Sequence, residues 1–443
     1  MPKLRLKLWI KRQPDLLITL VRGAGVALSV QIISIGTIYA SQILLARWMG
    51  VTEYGIYDFA IALSLSLAFI AGLGLPTAVL RFIPEYRVKQ DWAHLRGIIR
   101  GSWQQTLIAS LITVAFSTAV LLWLALYQRL DYSQTLLIGI WIVPLIALAN
   151  LLQQIIRAFQ QMTLAYAPYL IIYPLVLIGI AFVWQLHQSL NSTVVISLSI
   201  LSMLIVLTLQ ALLFQQKLNT EVEQAKPVYA MSQWWRVALP LMLFDGSSVI
   251  LSQTDTLMLG VMLGAKAVGV YGAALKTSLW VNFILKAVNA ISAPMIAALY
   301  AQGDRQGLQQ LISTIARWMF YPALVIGIGL IIFATPMLQL FGSEFTVAKE
   351  SLIILILGQL INVGTGSVGY LLMMTGHQTQ AALVMGATAI VNVVLNLIGI
   401  HWLGIVGAAL ATAFSMMLWN FWLHTLVVKH LNVRPSILAA FQT

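Results

Sequence analysis

The chain has 443 residues, of which 60% are hydrophobic and only 9% are charged, and its mean hydropathy is +0.90. Soluble globular proteins carry about 25% charged residues, and a single soluble core stops growing at roughly 250–300 residues. This composition therefore predicts a membrane protein and excludes a cytosolic enzyme, a secreted domain and a nucleic-acid-binding module, despite the net charge of +12. The chain has no cysteine and its six histidines are scattered, so neither a metal nor another cofactor is expected.

Charged residues mark where the membrane spans begin and end. No Asp, Glu, Lys or Arg occurs between Arg22 and Arg47, and the longest gap of this kind runs from Glu350 to Lys429. A helix needs about 20 apolar residues to cross the hydrocarbon core, and lipid offers the backbone no hydrogen-bond partners. Turn residues divide the longest gaps. The pattern predicts an all-α membrane protein of about twelve helices, near residues 20–46, 55–77, 97–126, 134–158, 163–185, 193–215, 233–262, 268–298, 314–339, 349–375, 379–400 and 404–428.

The distribution of basic residues predicts the orientation. With the N-terminus placed inside, nineteen of the 25 Lys and Arg residues fall on inner segments, four fall on outer segments, and Lys276 and Lys286 lie within a span. Cytoplasmic loops carry an excess of Lys and Arg. Both termini are therefore expected in the cytoplasm.

An internal repeat predicts two halves of six helices each. The polar stretch 216–232 separates residues 1–215 from residues 233–443, and a shift of 214 positions aligns 45–64 with 259–278. Six spans per half give both halves the same orientation, which is a parallel pseudo-two-fold repeat with a substrate site expected between the halves. The aligned identities are Leu45 with Leu259, Gly50 with Gly264, Gly55 with Gly269, Tyr57 with Tyr271, Ala60 with Ala274 and Ser64 with Ser278.

Three segments carry a family resemblance. They are 44–57 (LLARWMGVTEYGIY), 72–86 (GLGLPTAVLRFIPEY) and 252–274, which contains Asp255. The sequence resembles the Wzx-type oligosaccharide flippases of the polysaccharide biosynthesis protein family, within the multidrug, oligosaccharidyl-lipid and polysaccharide exporter superfamily. The family often has an acidic residue where Gly72 and Leu73 stand, so a coupling role for that acid is not carried over.

The resemblance implies a fold, a function and partners. The fold would be that of the MATE transporters, and the protein would sit in the bacterial cytoplasmic membrane. It would move an undecaprenyl-pyrophosphate-linked sugar unit to the outer leaflet for synthesis of lipopolysaccharide or another surface polysaccharide. Membrane lipid and a polysaccharide polymerase would be its partners. The resemblance implies a transporter, not an enzyme.

Other functions remain open at this point. A multidrug or small-molecule cation-coupled antiporter of the same superfamily would share the fold without needing a pyrophosphate site. A membrane glycosyltransferase or polymerase would need an acid/base site outside the membrane, and the predicted outer loops are short and nearly free of acids. A permease subunit of an ATP-driven transporter is disfavoured by the twelve-span repeat.

Four charged residues within the spans are candidate functional residues, because charges in a membrane are costly. Asp255 and Lys276 are predicted at one depth of the seventh and eighth spans, and Asp245 and Lys286 at another. Their ten-residue separation rotates the helix face by about 80°, so both pairs cannot point directly at each other. Either the pairs are structural bridges, or a lysine faces a cavity and contacts a diphosphate while an aspartate carries a coupling ion.

Four further residues are candidates nearer the membrane surfaces. Arg47 and Asp58 flank the first outer hairpin at equal depth, which favours an ion pair at the outer mouth. Arg81 and Arg100 belong to a basic inner cluster. This cluster either recruits the pyrophosphate or serves topology and contact with anionic lipid.

Overall fold

The computed structural model describes the backbone of residues 14–128 and 132–437. All regular secondary structure in these two ranges is helical, and eleven helices there are long and apolar enough to cross a membrane. One of them, Ile33–Gly72, is broken at Gly50, where φ is 79°. It therefore covers the first two predicted spans. The predicted all-α fold with about twelve membrane helices is confirmed, and the chain is a multi-pass membrane protein.

Sixteen α-helices follow one another along the described chain. The first eight are α1 (Pro14–Gly72), α2 (Leu75–Val88), α3 (Trp92–Gln128), α4 (Ser133–Gly139), α5 (Val143–Ala158), α6 (Met162–Ala167), α7 (Tyr173–Gln185) and α8 (Ser192–Glu221). The next eight are α9 (Met231–Met262), α10 (Ala265–Ala301), α11 (Arg305–Ile332), α12 (Ala334–Gln339), α13 (Lys349–Thr365), α14 (Val368–Met374), α15 (Gln378–Leu403) and α16 (Ile405–Leu431).

The helices form two compact units. The first unit contains Val30–Gly272 and the short segment Leu340–Phe345. Within it, α2 packs against α3, α5 and α9, while α4 and α7 pack against α8. The second unit contains Ala273–Gln339, the described residues 346–437 and the start of α1 up to Ser29. Within it, α16 packs against α13, α14 and α15. These two units are defined by packing and are not the two predicted halves of the sequence. The division into halves at residues 216–232 stays a prediction.

Several helix ends differ from the predicted spans because glycine and proline interrupt long apolar runs. The second span was predicted over 55–77, but α1 ends at Gly72. Leu73 and Gly74 have φ values of 54° and 70°, and α2 begins at Leu75 with Pro76 in its first turn. Left-handed residues cannot continue an α-helix, so α2 starts as a separate element. A 3₁₀ turn before Pro144 and a π turn beginning at Pro168 break two further predicted spans, because proline lacks the N–H that a helix interior needs.

The structure of the first unit supports the internal repeat. The aligned glycines Gly50 and Gly264 both have positive φ, at 79° and 86°, so both positions adopt a backbone conformation that favours glycine. Gly55 and Gly269, also aligned by the repeat, approach each other so closely that a Cβ on Gly55 would overlap the Ala265 carbonyl. Only glycine allows two helix backbones to come this close.

Candidate functional site

Asp245 and Asp255 both lie on α9 and both accept a hydrogen bond from a neutral hydroxyl group. Thr77 Oγ1 on α2 donates to Asp245 Oδ2 at 2.6 Å. The hydroxyl of Tyr271, a buried residue on α10, donates to Asp255. Asp255 is only 3% exposed, whereas Asp245 is half-buried. Each carboxylate is therefore oriented by a side chain from another helix.

The two lysines of the predicted depth pairs lie on α10, in the second unit. Lys276 is half-buried. The side chain of Lys286 lies outside the described part of the structure. Asp245 and Asp255 belong to the first unit. The pairing of either aspartate with a lysine stays a prediction.

Arg47 and Asp58 lie on α1 near the Gly50 break. Arg47 Nε donates to the carbonyl oxygen of Leu340 at 2.6 Å. Leu340 begins the short segment that packs into the first unit, and there Phe341 and Phe345 are fully buried. Arg47 thus helps to hold this segment. Whether it also pairs with Asp58 stays a prediction.

Arg81 lines a cavity of about 680 Å³ at the start of α9, which we call the Arg81 cavity. The guanidinium of Arg81 lies 5.7 Å from the centre of the Phe82 ring. Arg236, from α9, lines the same cavity. Among the described residues, no oxygen accepts a hydrogen bond from either guanidinium. The lining residues are Arg81, Phe82, Tyr229, Ala230, Met231, Ser232, Gln233, Arg236 and Val237.

Hydrogen bonds hold the walls of the Arg81 cavity in place. Trp234 is fully buried, and its Nε1 donates to the hydroxyl of Tyr86 on α2 at 3.0 Å. Trp235 Nε1 donates to Gln105 Oε1 on α3 at 2.8 Å. The start of α9 is therefore fastened to the two helices beside it.

The segment between α8 and α9 is fixed on α3. The Val228 N–H donates to the Ala93 carbonyl at 3.0 Å. Arg96 donates from Nε to the Glu223 carbonyl at 2.8 Å and from its terminal nitrogen to the Val222 carbonyl at 3.0 Å. A Cβ on Gly97 would overlap the Val228 carbonyl. These contacts hold residues 222–230 against α3, and we refer to this segment as the strap.

Arg100 lines a second basic cavity, of about 610 Å³, which we call the Arg100 cavity. Arg96 and Trp103, from the same helix, also line it, and so does Pro227 of the strap. The guanidinium of Arg96 is bound to the strap carbonyls, whereas Arg100 has no hydrogen-bond partner among the described residues. Arg81 and Arg100, predicted together as one basic cluster, thus lie in separate cavities.

Ionised groups in the turn between α2 and α3 form local pairs. Lys89 donates to Glu85 at 2.7 Å, and this hydrogen bond lowers the pKa of Glu85 and raises the pKa of Lys89. The backbone N–H of His94 donates to Asp91 at 3.1 Å and lowers the pKa of that carboxyl. Asp91 therefore serves as an N-terminal cap of α3.

Sequence reasoning missed Arg236 as a site residue. It counted Arg236 only as one inner basic residue among many, since nothing in the sequence shows which arginines find partners. The one available signal was its position directly after the Trp234–Trp235 pair near the start of the seventh span. The two hydroxyl donors, the half-buried Thr77 and the buried Tyr271, were also not predicted.

Comparison with known proteins identifies the family. The model of the polysaccharide biosynthesis protein family matches residues 20–300, which is more than half of the chain. The chain belongs to the polysaccharide biosynthesis protein family. The MatE family model matches residues 240–398. The resemblance seen in segments 44–57 and 72–86 is confirmed.

Individual proteins are similar to this chain at low sequence identity. The probable low-salt glycan biosynthesis flippase Agl15 of Haloferax volcanii is 29% identical over 168 residues, which cover 37% of this chain. The match spans only 35% of the length of Agl15. An inward-facing multidrug resistance MATE family transporter of the MOP superfamily has a TM-score of 0.71 at 16% identity, over 95% of this chain and 99% of that chain. The lipid II flippase MurJ, in an inward closed conformation, has a TM-score of 0.71 at 14% identity, over 95% of this chain and 92% of MurJ. At these identities the structures show a shared fold, which confirms the predicted MATE-like architecture.

Proposed function

We propose that this protein is a flippase that moves a lipid-pyrophosphate-linked oligosaccharide across the bacterial cytoplasmic membrane for synthesis of a surface polysaccharide. Family membership over residues 20–300 carries the proposal. The similarity to Agl15, a probable glycan biosynthesis flippase, supports it. The proposed substrate is an undecaprenyl-pyrophosphate-linked sugar, and a polymerase that consumes it outside is the proposed partner.

The physical problem for such a flippase is the charge of the diphosphate. Moving a phosphate dianion into hydrocarbon is prohibitively unfavourable unless fixed positive charge and water meet it. Lysine and arginine are the side chains that supply this charge. In the proposed mechanism, Lys286 and Lys276 on α10 contact the diphosphate at mid-membrane depth. Arg81 and Arg100 receive it on the inner side.

Transport proceeds by alternating access in this proposal. The two halves rock against each other and expose the bound diphosphate first to the inner and then to the outer leaflet. No bond is made or broken, so the protein acts as a transporter and not as an enzyme. Asp245 or Asp255 carries a coupling ion, or removal of the product outside drives the reaction. Both termini are placed in the cytoplasm in this scheme.

Transport in reconstituted vesicles tests the proposal. The purified protein is placed in vesicles with an undecaprenyl-pyrophosphate-linked sugar, and the outer-leaflet fraction is followed with a sugar-binding probe. We expect transport by the parent, partial transport by Lys286→Arg and none by Lys286→Gln at equal protein abundance. Parent-level transport by Lys276→Gln, Lys286→Gln and their double variant would contradict the lysine mechanism. Absence of transport by the parent would contradict the flippase itself.

A multidrug or small-molecule cation-coupled antiporter is the second candidate, and the match of the MatE model to residues 240–398 favours it. The same vesicles, loaded with a fluorescent cationic dye, separate the two functions. An antiporter would export the dye when a proton or sodium gradient is imposed and would not respond to the lipid-linked sugar. A flippase should show the reverse behaviour.

A further inference from the structure

We infer that the Arg81 cavity is a binding site for a diphosphate group, built from Arg81 on α2 and Arg236 on α9. Its assignment to the diphosphate of a lipid-linked sugar rests on the proposed function. The inference that the site binds an anion does not depend on the proposed function. The inference adds Arg236 to the residues that contact substrate and gives the inner side of the protein its own binding site, separate from the lysines of α10.

The availability of the two guanidinium groups carries the inference. Three other arginines of the first unit already have partners: Arg87 forms an ion pair with Glu221 at 3.1 Å, and Arg157 donates to Gln154 at 2.6 Å. Arg96 binds the strap carbonyls. Arg81 and Arg236 differ from these three, because no oxygen of the described residues accepts a hydrogen bond from them. Both line one cavity.

Two exposed guanidinium groups that donate no hydrogen bond to a described oxygen line one cavity, and together they favour a doubly charged anion. Arg81 also lies near enough to Glu85 to help lower the pKa of that carboxyl. Like charges that line the same space repel each other, and an anion placed between them replaces that repulsion by attraction. The guanidinium group presents a planar fork of donors that matches phosphate oxygens. Ser232 and Gln233 line the same cavity and add a hydroxyl and an amide that can also donate. A diphosphate offers enough acceptor oxygens for all four side chains.

The cavity is already shaped before a ligand binds. The Trp234–Tyr86 and Trp235–Gln105 hydrogen bonds fix the start of α9, and the Val228–Ala93 bond fixes the strap just before Tyr229. Binding to walls that are already ordered loses less conformational entropy. The volume of about 680 Å³ lies within the roughly 300–1,000 Å³ of small-molecule sites. It can hold a diphosphate together with part of the groups esterified to it.

Binding of inorganic pyrophosphate to the purified full-length protein in a neutral detergent tests the site. Titration calorimetry should show binding by the parent, and Arg81→Gln and Arg236→Gln should each weaken it by about tenfold or more, as expected for loss of one charge-assisted contact. The double variant should not bind detectably. Arg305→Gln is the matched control, because it removes the same charge from an exposed arginine at the start of α11 that lines none of these cavities. It should bind like the parent. Each variant is first checked for the parent melting temperature.

Two results would overturn the inference. One is parent-like pyrophosphate binding by the double variant. The other is a cavity that takes only bilayer phospholipid: native mass spectrometry would then show that the double variant loses bound phosphatidylglycerol, while pyrophosphate binds to neither protein. Pyrophosphate binding that the double variant loses, with phosphatidylglycerol retention unchanged, supports a substrate diphosphate site.

The vesicle assay separates this inference from the proposed function. If the parent transports the lipid-linked sugar but pyrophosphate binding does not depend on Arg81 and Arg236, the inference fails and the flippase stands. If pyrophosphate binding depends on both arginines but the parent transports nothing, the flippase fails and the anion site stands.

Discussion

The Arg81 cavity and the Arg100 cavity are nearly equal in volume, at about 680 and 610 Å³, and each is lined by two arginines. They differ in what those arginines bind. In the Arg81 cavity, neither guanidinium has a hydrogen-bond partner among the described residues. In the Arg100 cavity, Arg96 donates to two carbonyls of the strap. Each cavity therefore has two arginines, but a ligand could bind two available guanidinium groups in the Arg81 cavity and only one in the Arg100 cavity.

This difference shows that the number of basic residues does not predict where an anion binds. A guanidinium that donates to backbone carbonyls helps to stabilise the protein, and a ligand would have to displace those bonds. A guanidinium without a partner can bind a ligand at no such cost. The strap accounts for this difference. Its carbonyls at Val222 and Glu223 accept hydrogen bonds from Arg96, whereas Tyr229 and Ala230 at its other end line the Arg81 cavity.

The largest effect is expected from dislodging the strap itself. Gly97→Val places a side chain where the Val228 carbonyl lies, and backbone cannot move aside as a flexible side chain can. Overpacking typically costs about 1–3 kcal/mol and occasionally more, and overlap with a backbone oxygen places Gly97→Val at or above the top of that range. We expect a marked loss of folded protein and of melting temperature, with pyrophosphate binding lost as well.

The control for this change is Gly179→Ala on α7, where a Cβ would meet no atom within 4 Å. It should leave stability unchanged or raise it by about 0.5–1 kcal/mol, since alanine favours a helix over glycine. If Gly97→Val melts like the parent, the strap is not held on α3 as described.

A smaller loss of stability is expected from Trp234→Phe. Trp234 is fully buried, and its Nε1 bonds the Tyr86 hydroxyl. The change removes that bond and leaves a hydroxyl without its donor, at about 1–3 kcal/mol. A double-mutant cycle with Tyr86→Phe, followed by thermal unfolding, measures the pair. Strictly additive losses in the double variant would mean that the two side chains do not interact.

Arg96→Gln should destabilise the protein by about 1–2 kcal/mol, because two charge-assisted hydrogen bonds are lost in a partly exposed site where solvent weakens them. Pyrophosphate binding should not change. Arg100→Gln, one turn further along α3, is the comparison variant and should leave the melting temperature at the parent value. Equal melting temperatures for Arg96→Gln and Arg100→Gln would show that the strap contacts contribute nothing.

The smallest effect is expected at Asp91, the cap of α3. Asp91→Ala should cost about 0.5–1 kcal/mol at neutral pH. Because the His94 N–H lowers the pKa of Asp91 in the folded protein, the stabilisation is complete above the unfolded pKa of about 3.9 and disappears as pH falls through the lower folded value. The difference in melting temperature between parent and Asp91→Ala should therefore shrink in acid. A difference that is constant from pH 7 to the acid limit would rule out the carboxylate as its source.

Most of the fold could be predicted from the sequence, because lipid leaves a long apolar segment no alternative to a helix. What failed was the placement of ends within long apolar runs. Hydropathy does not register that Leu73 and Gly74 take positive φ, or that Gly366 separates α13 from α14 with φ of 85°. The repeat could be found because its glycines are conformationally required, as Gly50 and Gly264 demonstrate.

The candidate site was predictable only in part. Asp245 and Asp255 could be identified because charge within a span is rare. Thr77 lies on α2, outside the hairpin whose depth was estimated. Tyr271 lies on α10 within that hairpin, but the estimate paired charged residues only and did not consider hydroxyl groups. Arg236 was not singled out, because its lack of a partner is a property of the tertiary structure.

The central claim is that available charge, not total charge, defines the anion site. Measuring the melting temperature and the pyrophosphate dissociation constant of Arg81→Gln and Arg96→Gln side by side tests it most directly. We predict that Arg81→Gln keeps the parent melting temperature and loses most of its affinity, whereas Arg96→Gln melts earlier and binds like the parent. Equal losses of affinity in the two variants, at unchanged melting temperature, would contradict the claim.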